Sequence, residues 1–310
     1  MRKMIFMSLF FATSCGTKEV DPDTGGGSSD ADADADGGNE GGGSFEDFIN
    51  VTDEPVGDLS CLTGTLGTEA AAAGCIAQRS MAGLVLDFQD DYPVDEATVE
   101  LFFEDGIFGV ADDTVTTDAN GVFNAEVNTC EAFTYRVTTD PVLDATKVTI
   151  ESHDVMPHKG AINPVSHEMN SVSSTTYALI PTLLGVSPDV EKGIVAGRAY
   201  DCAGENLEGL QVMIEGASGN IPESVVAKYF RDDFPNRNQP YTSDDGLWIL
   251  MDVPTGDWFV KGYVADGLGG HTLVAQTELK VLADSINISS IYSGIEDGVK
   301  MPDDCLTACN

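Results

Sequence analysis

Thr242-Ser-Asp-Asp-Gly-Leu-Trp-Ile-Leu-Met-Asp-Val-Pro-Thr-Gly-Asp-Trp-Phe-Val-Lys-Gly-Tyr-Val264 reads as turn, strand, turn, strand. Asp244, Asp245 and Gly246 supply the first turn, where an Asp side chain folds onto its own backbone and Gly accepts positive φ. Leu247, Ile249 and Met251 then alternate with Trp248 and Leu250, the period of two that a pleated strand imposes. Pro254 and Gly256 make the second turn, and Trp258, Val260 and Val264 return on one face of the next strand. Short strands punctuated by such turns point to an all-β chain built as a β-sandwich.

The same grammar occurs upstream. Val195-x-Gly197-x-Ala199-x-Asp201 matches Met81-x-Gly83-x-Val85-x-Asp87 position for position. Leu207, Leu210, Val212 and Ile214 match Val94, Ala97, Val99 and Leu101. Asp245-Gly246-x-Trp248-x-Leu250 matches Asn120-Gly121-x-Phe123-x-Ala125, and Trp258-x-Val260 is matched with Tyr135-x-Val137. A strand-and-turn order that recurs in this way marks an internal repeat. The second copy carries an insert at about 217–240 that includes Tyr229, Arg231, Arg237 and Tyr241. Lys147 to Glu151 reads as the closing strand of the first copy, and His271–Val281 with Ile286–Ile291 as the last strands of the second. Between them, Ser173-Ser-Thr-Thr176 offers an N-cap for a short helix that Pro181 limits and Gly185 ends. Its Leu179, Ile180, Leu183 and Leu184 are expected to pack between the domains.

The order Val-x-Gly-x-Val-x-Asp, then Ala-x-Val-x-Leu, then Thr-Asp-x-x-Gly-x-Phe, then Pro-x-Gly-x-Tyr-x-Val resembles the carboxypeptidase regulatory-like family. The second copy fits nearly throughout, with Trp for the usual aromatics, whereas Asn128-Thr129-Cys130-Glu131 replaces Pro-x-Gly in the first. The resemblance covers roughly two thirds of the chain. It implies two tandem transthyretin-like Greek-key β-sandwiches that serve as non-catalytic structural or binding modules. The expected organisation is a signal peptide at 1–15, a disordered linker at 16–58, sandwiches at 59–155 and 193–293, a connector at 156–192 and a Cys-containing tail at 294–310.

Arg2 and Lys3, the apolar run Met4 to Phe11 and the small residues Ala12-Thr13-Ser14 before Cys15 form an export signal, too short to span a bilayer as a helix. Small residues ending at a Cys resemble the bacterial lipoprotein cleavage site, although Ala12 stands where Leu is usual. That resemblance implies an acylated Cys15 and, with Gly16 rather than Asp after it, delivery to the outer membrane. The linker that follows, with its Ala31–Asp36 alternation and Gly runs, offers nothing to bury. As a flexible coil it spans about 35–40 Å. Asp32, Asp34, Asp36 and Gly37 fit half of a calcium loop, but Gly43 stands where the closing Glu belongs, so an acidic spacer is the simpler reading. The formal net charge of −37, from 52 acidic and 15 basic side chains, excludes nucleic acid as a partner and disfavours charge-driven adhesion to an anionic bilayer.

Beyond Cys15 there are six cysteines, Cys61, Cys75, Cys130, Cys202, Cys305 and Cys309, an even number that favours disulfides in an exported chain. Fifteen connectivities are open, among which Cys61–Cys75 and Cys202 with Cys305 or Cys309 are the working guesses. His153, His158 and His167 cluster in sequence beside Asp154 and Glu168, a donor set suited to zinc but at no recognised zinc spacing. No His-Glu-x-x-His, Gly-x-Ser-x-Gly or phosphate loop is present. The reading is therefore a lipid-anchored envelope protein without a cofactor, a scaffold that binds an envelope protein or a glycan. Tyr229, Arg231, Arg237, Tyr241 and the core-expected Trp258 are the candidate contacts. Its rivals are a metal-dependent binding protein or hydrolase using the His153–Glu168 segment, and a purely structural spacer.

Overall fold

A computed structural model describes residues 54–103, 109–140, 147–158 and 165–309. The expected signal peptide, Cys15, nearly all of the linker and its Asp32–Asp36 run lie outside the described residues.

The first half forms β1 (Gln78–Asp87), β2 (Thr98–Phe102), β3 (Asp113–Thr116), β4 (Val122–Asn128), β5 (Ala132–Thr138), β6 (Val148–Val155) and β7 (Val165–Ser171). Helix α1 (Ser174–Leu184) follows. The second half forms β8 (Gly193–Tyr200), β9 (Leu210–Glu215), β10 (Val226–Arg231), β11 (Phe234–Asn236), β12 (Leu247–Val253), β13 (Gly256–Ala265), β14 (His271–Val281), β15 (Ser285–Ile288) and β16 (Ile291–Tyr292).

One ten-stranded sheet runs through the molecule in the order β11-β10-β12-β8-β15-β6-β5-β2-β3, with β16 beside β8. Two three-stranded sheets, β4-β1-β7 and β14-β13-β9, complete the sandwiches. In the first, Met81, Val85, Phe123 and Met169 pack against Val99, Leu101, Tyr135 and Val137. In the second, Val195, Ala199, Trp248 and Leu250 pack against Val212, Ile214, Val260 and Leu279. Strand β15 joins the halves, pairing in parallel with β6 on one side and β8 on the other. Side chains in register share a face of a sheet. Tyr135 pairs with Glu151, Glu151 with Ile288 and Ile288 with Ala196, so the face that makes the first core continues into the outer face of the second sandwich. There Ile194, Phe230, Ile249, Met251 and Ile286 are covered by Tyr177 and Leu184 of α1. The two small sheets thus lie on opposite faces of the long one.

The repeat is visible in the pairings. Gly83 sits opposite Phe123 and Gly197 opposite Trp248. A Cβ on Gly83 would lie 2.0 Å from the Phe123 ring, and one on Gly197 would lie 1.9 Å from the Ser289 carbonyl oxygen and 2.8 Å from Trp248. Each glycine leaves room for a large aromatic across the strand, which is why the motif keeps a residue otherwise poor in strands. The match of Trp258 with Tyr135 is corrected by two residues. Val99 pairs with Val137 and Leu101 with Tyr135, while Val212 pairs with Gly262 and Ile214 with Val260, so Tyr135 corresponds to Val260 and Phe133 to Trp258. The slip arose because aromatic-x-Val occurs at both registers.

Three other expectations change. The segment read as a connector contains β7, a seventh strand whose parallel pairing with β1 could not be seen in its polar sequence. The helix is capped as expected, Ser173 Oγ accepting from Thr176 N–H at 3.1 Å and Gly185 adopting φ 78°, but Leu179 and Leu183 are 45% and 47% exposed because α1 packs on a sheet rather than between domains. The 217–240 insert builds the edge hairpin β10–β11, with β10 antiparallel to β12.

The disulfides are Cys61–Cys202, Cys75–Cys309 and Cys130–Cys305, so neither Cys61–Cys75 nor a bond from Cys202 to the tail forms. The reason is the path of residues 54–77, assigned in part to the first sandwich. They form a strap that crosses the second one. Val56 exchanges two backbone hydrogen bonds with Glu208, and Gly67 pairs with Gly294 and Glu296. The tail returns to the first half, where Cys305 O accepts from Ala72 N–H at 2.8 Å. Cys61 is thereby carried to Cys202, while Cys75, Cys130, Cys305 and Cys309 gather with Val155 and Met301.

Candidate functional site

The first sandwich contains a feature that its pairing pattern forces. Tyr135 opposes Glu151, but Phe133 opposes Asp154, so Ser152 and His153 together face Thr134 alone. This is a β-bulge, and it re-aims side chains. On a regular strand residues three apart point to opposite faces. Here the extra residue turns Asp154 onto the face of Glu151, towards the first core. His153 absorbs the irregularity at φ 64°, a conformation that costs a residue with a Cβ on the order of 1–2 kcal/mol.

Around these two carboxylates, β5 and β7 contribute the rest. The Tyr135 hydroxyl donates to Glu151 Oε2 and accepts from Asn170 N–H at 2.9 Å. Asn170 Nδ2 donates to the same Glu151 oxygen at 3.4 Å. His167 Nε2 donates to Asp154 Oδ2, and the two side chains are 17% and 18% exposed. Tyr200 of β8 and Tyr292 of β16 stack beside the seam with centroids 5.0 Å apart.

Burial, then the neighbouring Asp154 charge, push Glu151 up to about 7. Burial alone would pull His167 down, but the hydrogen bond and charge of Asp154, helped by Glu151 and Glu168, hold it above its ordinary value. Burial, reinforced by the Glu151 and Asp154 charges, pushes Tyr135 well up. Glu151 thus titrates near neutrality beside the His167–Asp154 pair. Perturbed groups of this kind cluster at functional sites, and structural ion-pair networks produce them as well.

The three sequence-flagged histidines do not converge. His153 Nε2 donates to the Glu278 carbonyl, His158 Nδ1 to the Cys75 carbonyl at 2.9 Å, and His167 to Asp154. Among the described residues no group of three or more His, Cys, Asp or Glu side chains is placed to hold a metal, so the His153, His158, His167, Glu168 zinc set is not assembled. The binding candidates also disperse. Tyr229 lies in the second core, its hydroxyl accepting from Val212 N–H at 2.9 Å. Arg237 donates to the Leu183 and Thr182 carbonyls at 2.7 and 3.1 Å, closing the C-terminal end of α1. Trp258 is 8% exposed and donates from Nε1 to the Pro254 carbonyl at 2.7 Å. Arg231 is exposed at the end of β10, and Tyr241 is half-buried. Sequence reasoning flagged His167 and Asp154 but missed Tyr135, Glu151 and Asn170 beside them. The one available signal was the break in alternation after Thr149 and Glu151.

A cleft of about 550 Å³ opens elsewhere, with Leu62, Thr65 and Leu66 of the strap on one wall and Thr272, Leu273 and Gln276 of β14 on the other. Cys61–Cys202 pins the strap at the start of that wall.

No family model matches the chain, and no curated protein matches it. Solved structures similar to it include the TIE protein of Bacillus anthracis, at 12% identity over 70% of this chain and TM-score 0.23. The chain spans about a third of that protein, 34%. The shaft pilin SpaA of Lactobacillus rhamnosus GG is 10% identical over 70% of this chain and 98% of its own, at TM-score 0.24. BcpA, the major pilin subunit of Bacillus cereus, is 10% identical over 70% of this chain and all of its own (100%), also at TM-score 0.24. Likeness at this level assigns neither a family nor an activity.

Proposed function

We propose that this chain is a lipid-anchored protein of the bacterial outer membrane that works as a non-catalytic scaffold. In this reading two fused carboxypeptidase regulatory-like sandwiches stand on an acidic tether and offer a surface to an envelope protein or a glycan. The observation that carries it is the cysteine pattern. Cys61, Cys75, Cys130, Cys202, Cys305 and Cys309 are all paired, which suits an oxidising compartment. Cys15 is then left for a different role, directly after the small residues Ala12-Thr13-Ser14 that follow a basic start and an apolar run. The repeated glycine–aromatic pairs support the family reading, and the cleft between strap and β14 supplies the concave surface that binding sites favour.

The test is crosslinking of the full-length protein in intact cells, with captured material identified by mass spectrometry. One dominant partner, lost in a Leu66→Arg, Leu273→Arg variant that still folds, supports a scaffold that uses the cleft. Absence of any reproducible partner overturns the binding role in favour of a spacer. Cys15→Ser is expected to release the protein from membranes, and continued tight association would contradict the anchor.

A further inference from the structure

We infer that Cys61–Cys202 is a thiol-reducible clasp, whose opening frees residues 59–66 of the strap and takes down one wall of the cleft while the body stays folded. As a control on binding it rests on the cleft being the surface proposed above. Cys61 is the one exposed cysteine among the described residues, and Cys202 is half-buried. The Cys130–Cys305 bond is buried at both ends and Cys75–Cys309 at one. Backbone holds the strap on either side of the clasp. Before it, Val56 exchanges its two bonds with Glu208, Asp58 N–H donates to Asp201 Oδ2 at 2.7 Å, and Cys202 N–H donates to the Asp58 carbonyl at 2.8 Å. After it, Gly67 N–H donates to the Gly294 carbonyl at 2.8 Å, and Glu296 N–H donates to the Gly67 carbonyl at 2.9 Å. Between these, among the described residues, the only hydrogen bond from 59–66 to the second sandwich is Cys61 N–H to Cys202 Sγ, at 3.0 Å. The remaining hold is apolar, Leu59 and Leu62 packing against the second core. Leu62 and Leu66 are also the strap's side of the cleft. The disulfide thus fixes a segment with little else to fix it, and such segments open locally.

The exchange balances with a dithiol as the reductant. One thiolate of the dithiol attacks Cys61 Sγ at the exposed end, a mixed disulfide forms, and Cys202 leaves as a thiolate. The Cys61 N–H already aimed at Cys202 Sγ stabilises that leaving charge, and a stabilised thiolate leaves faster. The second thiol of the dithiol then displaces the Cys61 sulfur and closes the reagent into a cyclic disulfide. Two electrons and two protons end on the protein, as the thiols of Cys61 and Cys202. Asp58 and Asp201 flank Cys202, so an uncharged dithiol is favoured over an anionic thiol.

The experiment titrates the full-length, oxidised protein with dithiothreitol and traps free thiols by alkylation for mass spectrometry. Cys61 and Cys202 are expected to be labelled first, about tenfold or more faster than the other four, with Cys75 and Cys309 next and Cys130 and Cys305 last. With only the first bond open, hydrogen exchange at 59–66 is expected to rise by about tenfold or more while β8, β12 and β13 stay unchanged. A Cys61→Ser, Cys202→Ser variant is expected to show the same pattern without reductant. Reduction in another order, unchanged exchange at 59–66, or exchange that rises throughout the second sandwich overturns the clasp. Crosslinking in intact cells separates this from the scaffold reading. A partner held by the wild type and lost by the Cys61→Ser, Cys202→Ser variant supports control of the cleft. A partner held equally by both overturns that control and leaves the scaffold standing. No partner for either removes the scaffold, and the order of labelling and the exchange at 59–66 still decide the clasp.

Discussion

In the first copy Thr117 Oγ1 accepts from Ala97 N–H at 2.8 Å and donates to the Val94 carbonyl at 2.7 Å. In the second, Thr242 Oγ1 accepts from Leu210 N–H at 2.9 Å and donates to the Leu207 carbonyl at 2.7 Å. The likeness extends to the next turn, where Val85 N–H reaches the Gly121 carbonyl and Ala199 N–H the Gly246 carbonyl, at 2.8 and 2.9 Å. The copies part at the sixth strand. Tyr135 and Phe133 of the first oppose Glu151 and Asp154, whereas their counterparts Val260 and Trp258 oppose Thr277 and Leu279 on an unbroken stretch of β14. One inserted residue, with the φ it demands of His153, converts a sealed apolar edge into a titrating one. The seventh strand differs as well. In the second copy β15 and β16 take the place of β7, and β15 turns its free side to β6 and fuses the sandwiches. The same hydrogen-bonding frame therefore supports a junction in one copy and a proton-binding edge in the other.

The largest test of this comparison is covalent. Replacing Cys75 and Cys309 by Ser opens the ring that this bond closes through Cys130–Cys305 around most of the first copy, and the expected loss is about 3–5 kcal/mol in the chain-entropy account, read as a fall in denaturation midpoint. A loss confined to the first copy would show that the copies unfold separately. Gly197→Ala comes next, at about 3 kcal/mol, because its Cβ meets backbone at the seam; Gly83→Ala, which meets the end of a Phe ring, is expected to cost about 1–2 kcal/mol. Thermal unfolding of the two variants decides the order, and a reversed order would mean that the seam yields more easily than the first core.

Glu151→Gln sharpens the difference at the sixth strand. A carboxyl raised in the folded state contributes stability that is complete below its unfolded value and is lost as pH rises through the folded one. Variant and wild type should therefore be alike at or below about pH 4.5, with the variant more stable by on the order of 2 kcal/mol above about pH 7. Melting curves across that range check it, and a constant offset would remove the proton linkage. The smallest effect is Thr117→Val and Thr242→Val, each expected to cost about 1–2 kcal/mol for a buried hydrogen-bonding hydroxyl. Unequal costs would show that the shared frame bears differently on the two cores.

The repeat was legible because its signals are local. Gly and an aromatic at fixed offsets, a Thr-Asp turn and alternating apolar residues survive in the one-dimensional text. The capping of α1 by Ser173 and Gly185 was legible for the same reason. What escaped is non-local or turns on one residue. The pairing of Cys61 with Cys202 depends on where the strap lies, and that follows from backbone bonds between Val56 and Glu208 that carry no side-chain signature. The polar run of β7 gave no strand signal, since its pairing is parallel and only Met169 enters the first core. Of the site, His167 and Asp154 were singled out for their residue types alone. The Glu151–Asp154 pair became visible only once the bulge at Ser152 and His153 placed both on one face.

The disulfide between Cys75 and Cys309 also decides how this molecule bears tension. Stretched between the linker side of Cys61 and the residue at Cys309, the chain passes its load along the short segment from Cys61 to Cys75 and across one sulfur–sulfur bond. Everything from β1 to β16 hangs from that path as a closed loop, and its ladders are not unzipped. Load entering through the second sandwich instead reaches the linker through Cys202 and Cys61, again a covalent route. Pulled from either place, the folded body is borne by sulfur rather than by hydrogen bonds.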